Sequence, residues 1–267
     1  MYNIQTTQKN EVIKLAYHKF GRGPKYLLAF HGFADRGVLF QNLTALQSEY
    51  TIVALDLPFH GETEWPASVF NPDQIIEAID SILEQEGINS FSMICHSMGG
   101  RFVLALSNYY AQQIEGLIML APAGFQGAVS DNKWLFPKFM RKGLKKIASH
   151  PRLIVRVFKI GRSLGIINKG TFVFLKQMIE NEERRTKLFD CWISLSNFPV
   201  NLKKFRKLLL EQHIPISFFY GETDYITPAK YGKKFIAGLP NARLLMVADG
   251  HYFLREPLNT VLAEHLV

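Results

Sequence analysis

Six short runs rich in Val, Ile, Leu and Phe constrain this chain more than any other feature: KYLLAF, YTIVALDL, FSMICH, EGLIMLA, ISFFYG and ARLLMVAD. Each has the length and apolar continuity of a buried strand. Helical patterns lie between the earlier runs. Residues 73–86 place Ile75, Ile76, Ile79, Ile82 and Leu83 on one helical face, with acids on the other. Strands alternating with such helices predict an α/β fold: a mostly parallel, twisted sheet flanked by helices.

The alternation stops near Gly124 and resumes with ISFFYG, after a stretch of helix-like sequence without convincing strands. The expected organisation is a core of residues 1–124 and 206–267, interrupted by a basic helical cap at 125–205. Charge marks the same division. Residues 125–210 hold 19 Lys and Arg against 5 Asp and Glu, whereas the remainder is mildly acidic, for a formal net charge of +8.

Within the insert, KWLFPKFMRKGLKKIASH sets Phe136, Phe139, Met140, Leu144 and Ile147 on one helical face and Lys138, Arg141, Lys142, Lys145 and Lys146 on the others. Two readings stay open. A cationic lid would make peripheral contact with an anionic membrane or draw in acidic substrates. A plain cap would pack its apolar face over a pocket and leave its lysines solvated. Trp134, Phe136, Phe139, Phe158, Phe172, Phe174 and Trp192 suggest that the substrate has an apolar portion.

Other classes are disfavoured. No apolar run approaches the roughly 18 residues of a membrane-spanning helix, and MYNIQTTQKNEV lacks a basic-then-apolar leader pattern, so a soluble cytoplasmic protein is the expectation. Cys95 and Cys191 lie far apart without metal-ligand spacing and read as reduced thiols. No histidines are paired at metal-ligand spacing. No recognised nucleic-acid-binding module is present, and nucleic acid is not an expected partner.

The chemistry-bearing residues fall where strands end. FSMICH runs directly into Ser97-Met98-Gly99-Gly100 and then a helical pattern, which places a serine hydroxyl on a tight strand-to-helix turn. Such a serine needs a base, a group to orient that base, and donors for an oxyanion. ISFFYG ends in Glu222-Thr223-Asp224, with Thr227-Pro228 reading as the start of a helix, and ARLLMVAD ends in Gly250-His251. A parallel sheet delivers all these loops to one edge, where Ser97, Asp224 and His251 can converge. Asp249, next to His251 in sequence, is the rival acid.

Here the chain resembles the α/β-hydrolase superfamily, in its serine-nucleophile, capped, esterase- or lipase-like branch. The order of nucleophile, acid and histidine agrees. CHSMGG resembles the family's elbow, HGFAD its His-Gly-aromatic loop, DLPFHG its Asp-x-Pro-Gly-His-Gly turn, and GETDYITP its acid-bearing loop. The resemblance implies an oxyanion hole from the backbone N–H groups of Phe33 and Met98. There are two departures: Cys95 stands where the elbow usually has glycine, predicting a tighter fit, and Phe59 stands where the turn often has glycine.

The function this implies is that of a serine hydrolase cleaving an ester or related acyl bond of a partly apolar small molecule. Ser97, His251 and Asp224 would be the triad, and no metal or organic cofactor would be needed. His31, Phe59, His96 and Arg101 are the candidates for substrate contact. The same triad also permits a lyase, a carbon-carbon hydrolase, a thioesterase or a slow-turnover ligand sensor.

Overall fold

The computed structural model describes residues 1–8, 11–66, 69–126, 150–165, 167, 169–198 and 200–266. The basic amphipathic stretch at 133–149, with Trp134, Phe136 and Phe139, lies outside the described residues, as does the side chain of Phe174.

All six expected strands form. They are β3 (Lys25–Phe30), β4 (Tyr50–Leu55), β5 (Phe91–His96), β6 (Ile114–Leu120), β7 (Ile216–Gly221) and β8 (Ala242–Val247). Residues 1–8 and 11–20 add an antiparallel strand pair, β1 (Tyr2–Gln8) and β2 (Glu11–Phe20), which apolar runs do not reveal. In β2 the apolar residues alternate: Ile13, Leu15 and Tyr17 are buried, while Lys14 between them pairs with Glu64. That is the pattern of a strand with one solvated face. The eight-stranded sheet has the order β1-β2-β4-β3-β5-β6-β7-β8, and β3 to β8 are parallel.

This order positions the site. From β3 the chain crosses to β4 on one side and to β5 on the other, so β3 and β5 flank the switch point where ligand crevices open in such sheets. The register aligns the carboxyl ends of neighbouring strands: Phe30 pairs with Leu55 and Cys95, His96 with Leu120, Leu120 with Phe219, and Gly221 with Val247. Loops starting at residues 31, 97, 222 and 248 therefore emerge along one edge.

Helix α1 (Pro72–Glu86) shows why the helices form where they do. Asn71 caps its first turn in a reciprocal pair with Gln74, Pro72 opens it, and Gly87 closes it at φ 67°. Of its predicted apolar face, Ile75, Ile79, Ile82 and Leu83 are buried and Ile76 is partly buried. Helix α2 (Gly99–Leu106) follows β5.

The described part of the cap comprises α3 (Pro151–Ser163), α4 (Lys169–Glu180) and α5 (Glu182–Leu195). It has its own small core, centred on Ile154, Ile179, Leu188 and Ile193. Near the expected cap edges at 125 and 205, side chains also pack into the main core. Phe125 packs edge-on against Phe218 and Phe235, and α6 (Leu202–Glu211) buries Phe205, Leu208 and Leu209 in the main core. The aromatic and leucine side chains at both edges thus belong to the α/β core. Helices α7 (Lys230–Ile236) and α8 (Glu256–Leu266) complete the chain.

Candidate active site

Ser97 sits at φ 48°, in the left-handed region that a non-glycine residue adopts only under local constraint. The constraint is visible on both sides of the residue. Its N–H donates to the Leu120 carbonyl at 3.0 Å, and its carbonyl accepts from Ala123 N–H at 2.7 Å. The turn brings the next helix so close to β3 that a Cβ on Gly99 would lie 2.0 Å from the Phe30 carbonyl oxygen, so glycine is required there. At Cys95 the fit is met differently. The thiol is fully buried, 3.6 Å from Met119 Sδ, and burial pushes its pKa upward.

The three sequence-distant residues converge. Ser97 Oγ lies 2.9 Å from His251 Nε2, and His251 Nδ1 lies 2.8 Å from Asp224 Oδ2. The loop after β7 holds the carboxylate by its backbone: Ile226 and Thr227 N–H groups donate to Asp224 Oδ1 at 2.8 and 3.0 Å, and Thr227 Oγ1 donates to Oδ2 at 2.7 Å. Thr227 was legible only as a helix-start residue. Its hydroxyl also lies 3.2 Å from His251 Nδ1, which makes it a further member of the network. The rival acid is engaged elsewhere: Asp249 is paired with Arg255 and accepts from Gly250 N–H at 2.7 Å.

Electrostatics match this arrangement. Burial raises the Asp224 carboxyl, but the bonds from His251 and Thr227 outweigh it and hold the group below the usual carboxylate range. Burial lowers His251 below its ordinary value, only partly opposed by the Asp224 hydrogen bond. The imidazole is therefore neutral near pH 7. With its Nδ1–H directed at Asp224, its Nε2 lone pair faces the Ser97 hydroxyl.

The loop after β3 passes beside the serine. A Cβ on Gly32 would meet Asp35 Oδ2 at 2.9 Å, His96 Nδ1 at 3.0 Å and Ser97 Cβ at 3.4 Å, so the loop lies in tight contact with the serine. Phe33, next in sequence, and Met98 both line a cavity of about 210 Å³ that opens on Ser97 and His251. Among the described residues the Met98 N–H has no acceptor within the protein. Leu188, Trp192 and Leu195 of the cap form the apolar side of the cavity.

The four candidate substrate contacts divide. His96 and Arg101 line the cavity. His96 Nε2 donates to the His251 carbonyl at 2.9 Å, and its Nδ1 lies 3.5 Å from Asp35 Oδ2. Arg101 is buried and donates to the carbonyls of Leu195 and Phe198 at 3.1 and 3.3 Å, tying the end of the cap to α2. His31 and Phe59 lie off the cavity wall formed by the described residues. His31 is 1% exposed, its Nδ1 donates to the Gly32 carbonyl at 2.6 Å, and its Nε2 accepts from Leu57 N–H at 2.9 Å, which joins the two loops. Burial lowers its pKa to about 3, which keeps it neutral, and the two hydrogen bonds fix the tautomer. Phe59, at φ 68°, packs against Phe70 instead.

Asp35, Tyr252 and Ile226 also reach the cavity without a prior sequence signal. Among the described residues no group of three or more His, Cys, Asp or Glu side chains is placed to hold a metal ion, and no helix is long and apolar enough to cross a membrane.

Comparison with known proteins agrees with this architecture. The model of the α/β-hydrolase fold family matches residues 25–154. The uncharacterized hydrolase YugF of Bacillus subtilis is 22% identical over 93% of this chain and 91% of its own. The dihydrolipoyllysine-residue acetyltransferase component of the acetoin cleaving system of Cupriavidus necator is 31% identical over 44% of this chain, which spans only 32% of that protein. A thermophilic esterase from Thermogutta terrifontis, solved with malate bound, superposes with a TM-score of 0.70 at 17% identity, over 100% of this chain and 98% of that one. The chain has the α/β-hydrolase fold.

Proposed function

We propose that this protein is a serine hydrolase that cleaves an ester or related acyl bond of a partly apolar small molecule, with Ser97 as nucleophile, His251 as base and Asp224 as the orienting acid. The observation that carries the reading is the continuous chain from a strained Ser97, 2.9 Å from a neutral His251, to an Asp224 held by two backbone N–H groups. The superposition on an esterase supports the same class.

In this mechanism His251 Nε2 takes the Ser97 proton as Oγ bonds to the carbonyl carbon. The oxygen that gains charge is held by the N–H groups of Phe33 and Met98, each worth about 10² to 10³ in rate. The imidazolium, stabilised by Asp224, then protonates the leaving alkoxide as its bond to carbon breaks. Water, deprotonated by His251, attacks the acyl-enzyme, and collapse returns the proton to Ser97 Oγ with release of the acid. Leu188, Trp192 and Leu195 would receive the apolar portion.

The test is a series of p-nitrophenyl esters of increasing acyl length with wild type and Ser97→Ala. A stoichiometric burst followed by turnover, absent in the variant, is the expected result. Equal turnover by Ser97→Ala would refute the assignment.

A further inference from the structure

Helix α3 has two apolar faces, and the described part of the cap buries only one. Ile154 is 4% exposed and belongs to the cap's small core with Ile179 and Leu188. Leu153, Val157, Ile160 and Leu164 are 49, 55, 54 and 69% exposed. Steps of four, three and four residues keep these four on one side, so they form a continuous stripe rather than scattered surface leucines. Arg152, Arg156 and Lys159, all exposed, run along one margin of the stripe. Arg162 stands over the Phe172 ring, 5.3 Å from its centroid. Residues 150–170 contain five Lys and Arg and no Asp or Glu.

Charge decides what such a stripe can accept. Residues 127–149 carry six Lys and Arg against one Asp, so both that segment and the cap of a second copy would set like charges against the cationic margin. An anionic lipid surface satisfies both halves of the pattern. The stripe enters the boundary between headgroups and acyl chains, and the margin meets phosphates.

We propose that α3 docks this protein on anionic lipid bilayers, lying in the plane of the interface with Leu153, Val157, Ile160 and Leu164 inserted. The inference is independent of the hydrolase chemistry. It stands on side chains outside the cavity lining and is tested without activity.

The experiment is co-sedimentation of the full chain with phosphatidylcholine vesicles, with and without phosphatidylglycerol, at two salt concentrations. Binding is expected only with phosphatidylglycerol. It should weaken as the screening length falls from about 10 Å at 0.1 M salt toward about 3 Å at 1 M. Val157→Glu and Ile160→Glu should each lower the partition coefficient about tenfold or more, with an unchanged thermal melt because both side chains already face solvent. Arg152→Glu and Arg156→Glu should lower it about fivefold or more each. Three results would overturn the proposal: no binding to anionic vesicles at low salt; undiminished binding by a folded Val157→Glu/Ile160→Glu variant; or self-association that this variant abolishes while vesicles bind neither protein.

Discussion

The α/β core buries its apolar side chains more completely than the cap, whose α3 leaves Leu153, Val157, Ile160 and Leu164 exposed, and the two hold their parts in different ways. In the core, Ile94, Phe102 and Phe218 are each 0% exposed, and the strand register that packs them also sets the ends from which Ser97, Asp224 and His251 project. In the cap, Ile179 is equally buried, but within a second small cluster, while Cys191, Leu195 and Phe198 at the carboxyl end of the cap pack into the main core. Arg101 grips the Leu195 and Phe198 carbonyls, and Ser194 Oγ accepts from Phe70 N–H at 3.1 Å. The core therefore positions Ser97, Asp224 and His251, while the cap supplies the apolar wall of Leu188, Trp192 and Leu195.

The largest effect should come from asking which acid the core has built into the network. Asp224→Asn should lower kcat by about 10⁴, because the amide would favour the wrong His251 tautomer, whereas Asp249→Asn should stay within about tenfold of wild type. Steady-state kinetics on a short soluble ester measure both. Similar losses in the two variants would mean that the acid is not uniquely Asp224.

A pair of truncations sharpens the contrast in packing. Ile94→Ala should destabilise the main unfolding transition by about 2–5 kcal/mol. Ile179→Ala should leave that transition within about 1 kcal/mol, while amides of α4 and α5 exchange faster with solvent. Urea melts and hydrogen exchange by mass spectrometry read the two effects. Equal shifts of the main transition would show that cap and core unfold as one unit.

A smaller effect concerns pH. Because burial lowers the His251 pKa, the base stays unprotonated to a pH below its ordinary value of 6.5. The acid limb of kcat/KM should therefore have its midpoint below pH 6.5, with activity lost as pH falls through it and a plateau above. A midpoint at or above 6.5 would contradict a desolvated base.

Much of this was legible in the sequence because it rests on periodicity. The buried parallel strands announce themselves as apolar runs, and once they are ordered, the loops bearing Ser97, Asp224 and His251 must share an edge. The β1–β2 pair was less legible, since a half-solvated edge alternates polar and apolar residues and shows no run. Roles set by side-chain direction were hidden as well. Nothing in the spacing of His31 says that it joins two loops, or that Arg101 reaches across to cap carbonyls. Thr227 reads equally as a helix start and as a carboxylate donor, and only the fold brings its hydroxyl to both Asp224 and His251.

Covalent capture asks whether Ser97 is the activated nucleophile of this fold. The protein would be treated with a fluorophosphonate, digested, and its modified peptide located by mass spectrometry, beside a His251→Ala control. A single adduct on Ser97 that is strongly slowed in His251→Ala is the predicted result; an adduct on another residue, or labelling of Ser97 at the same rate without His251, would contradict the account.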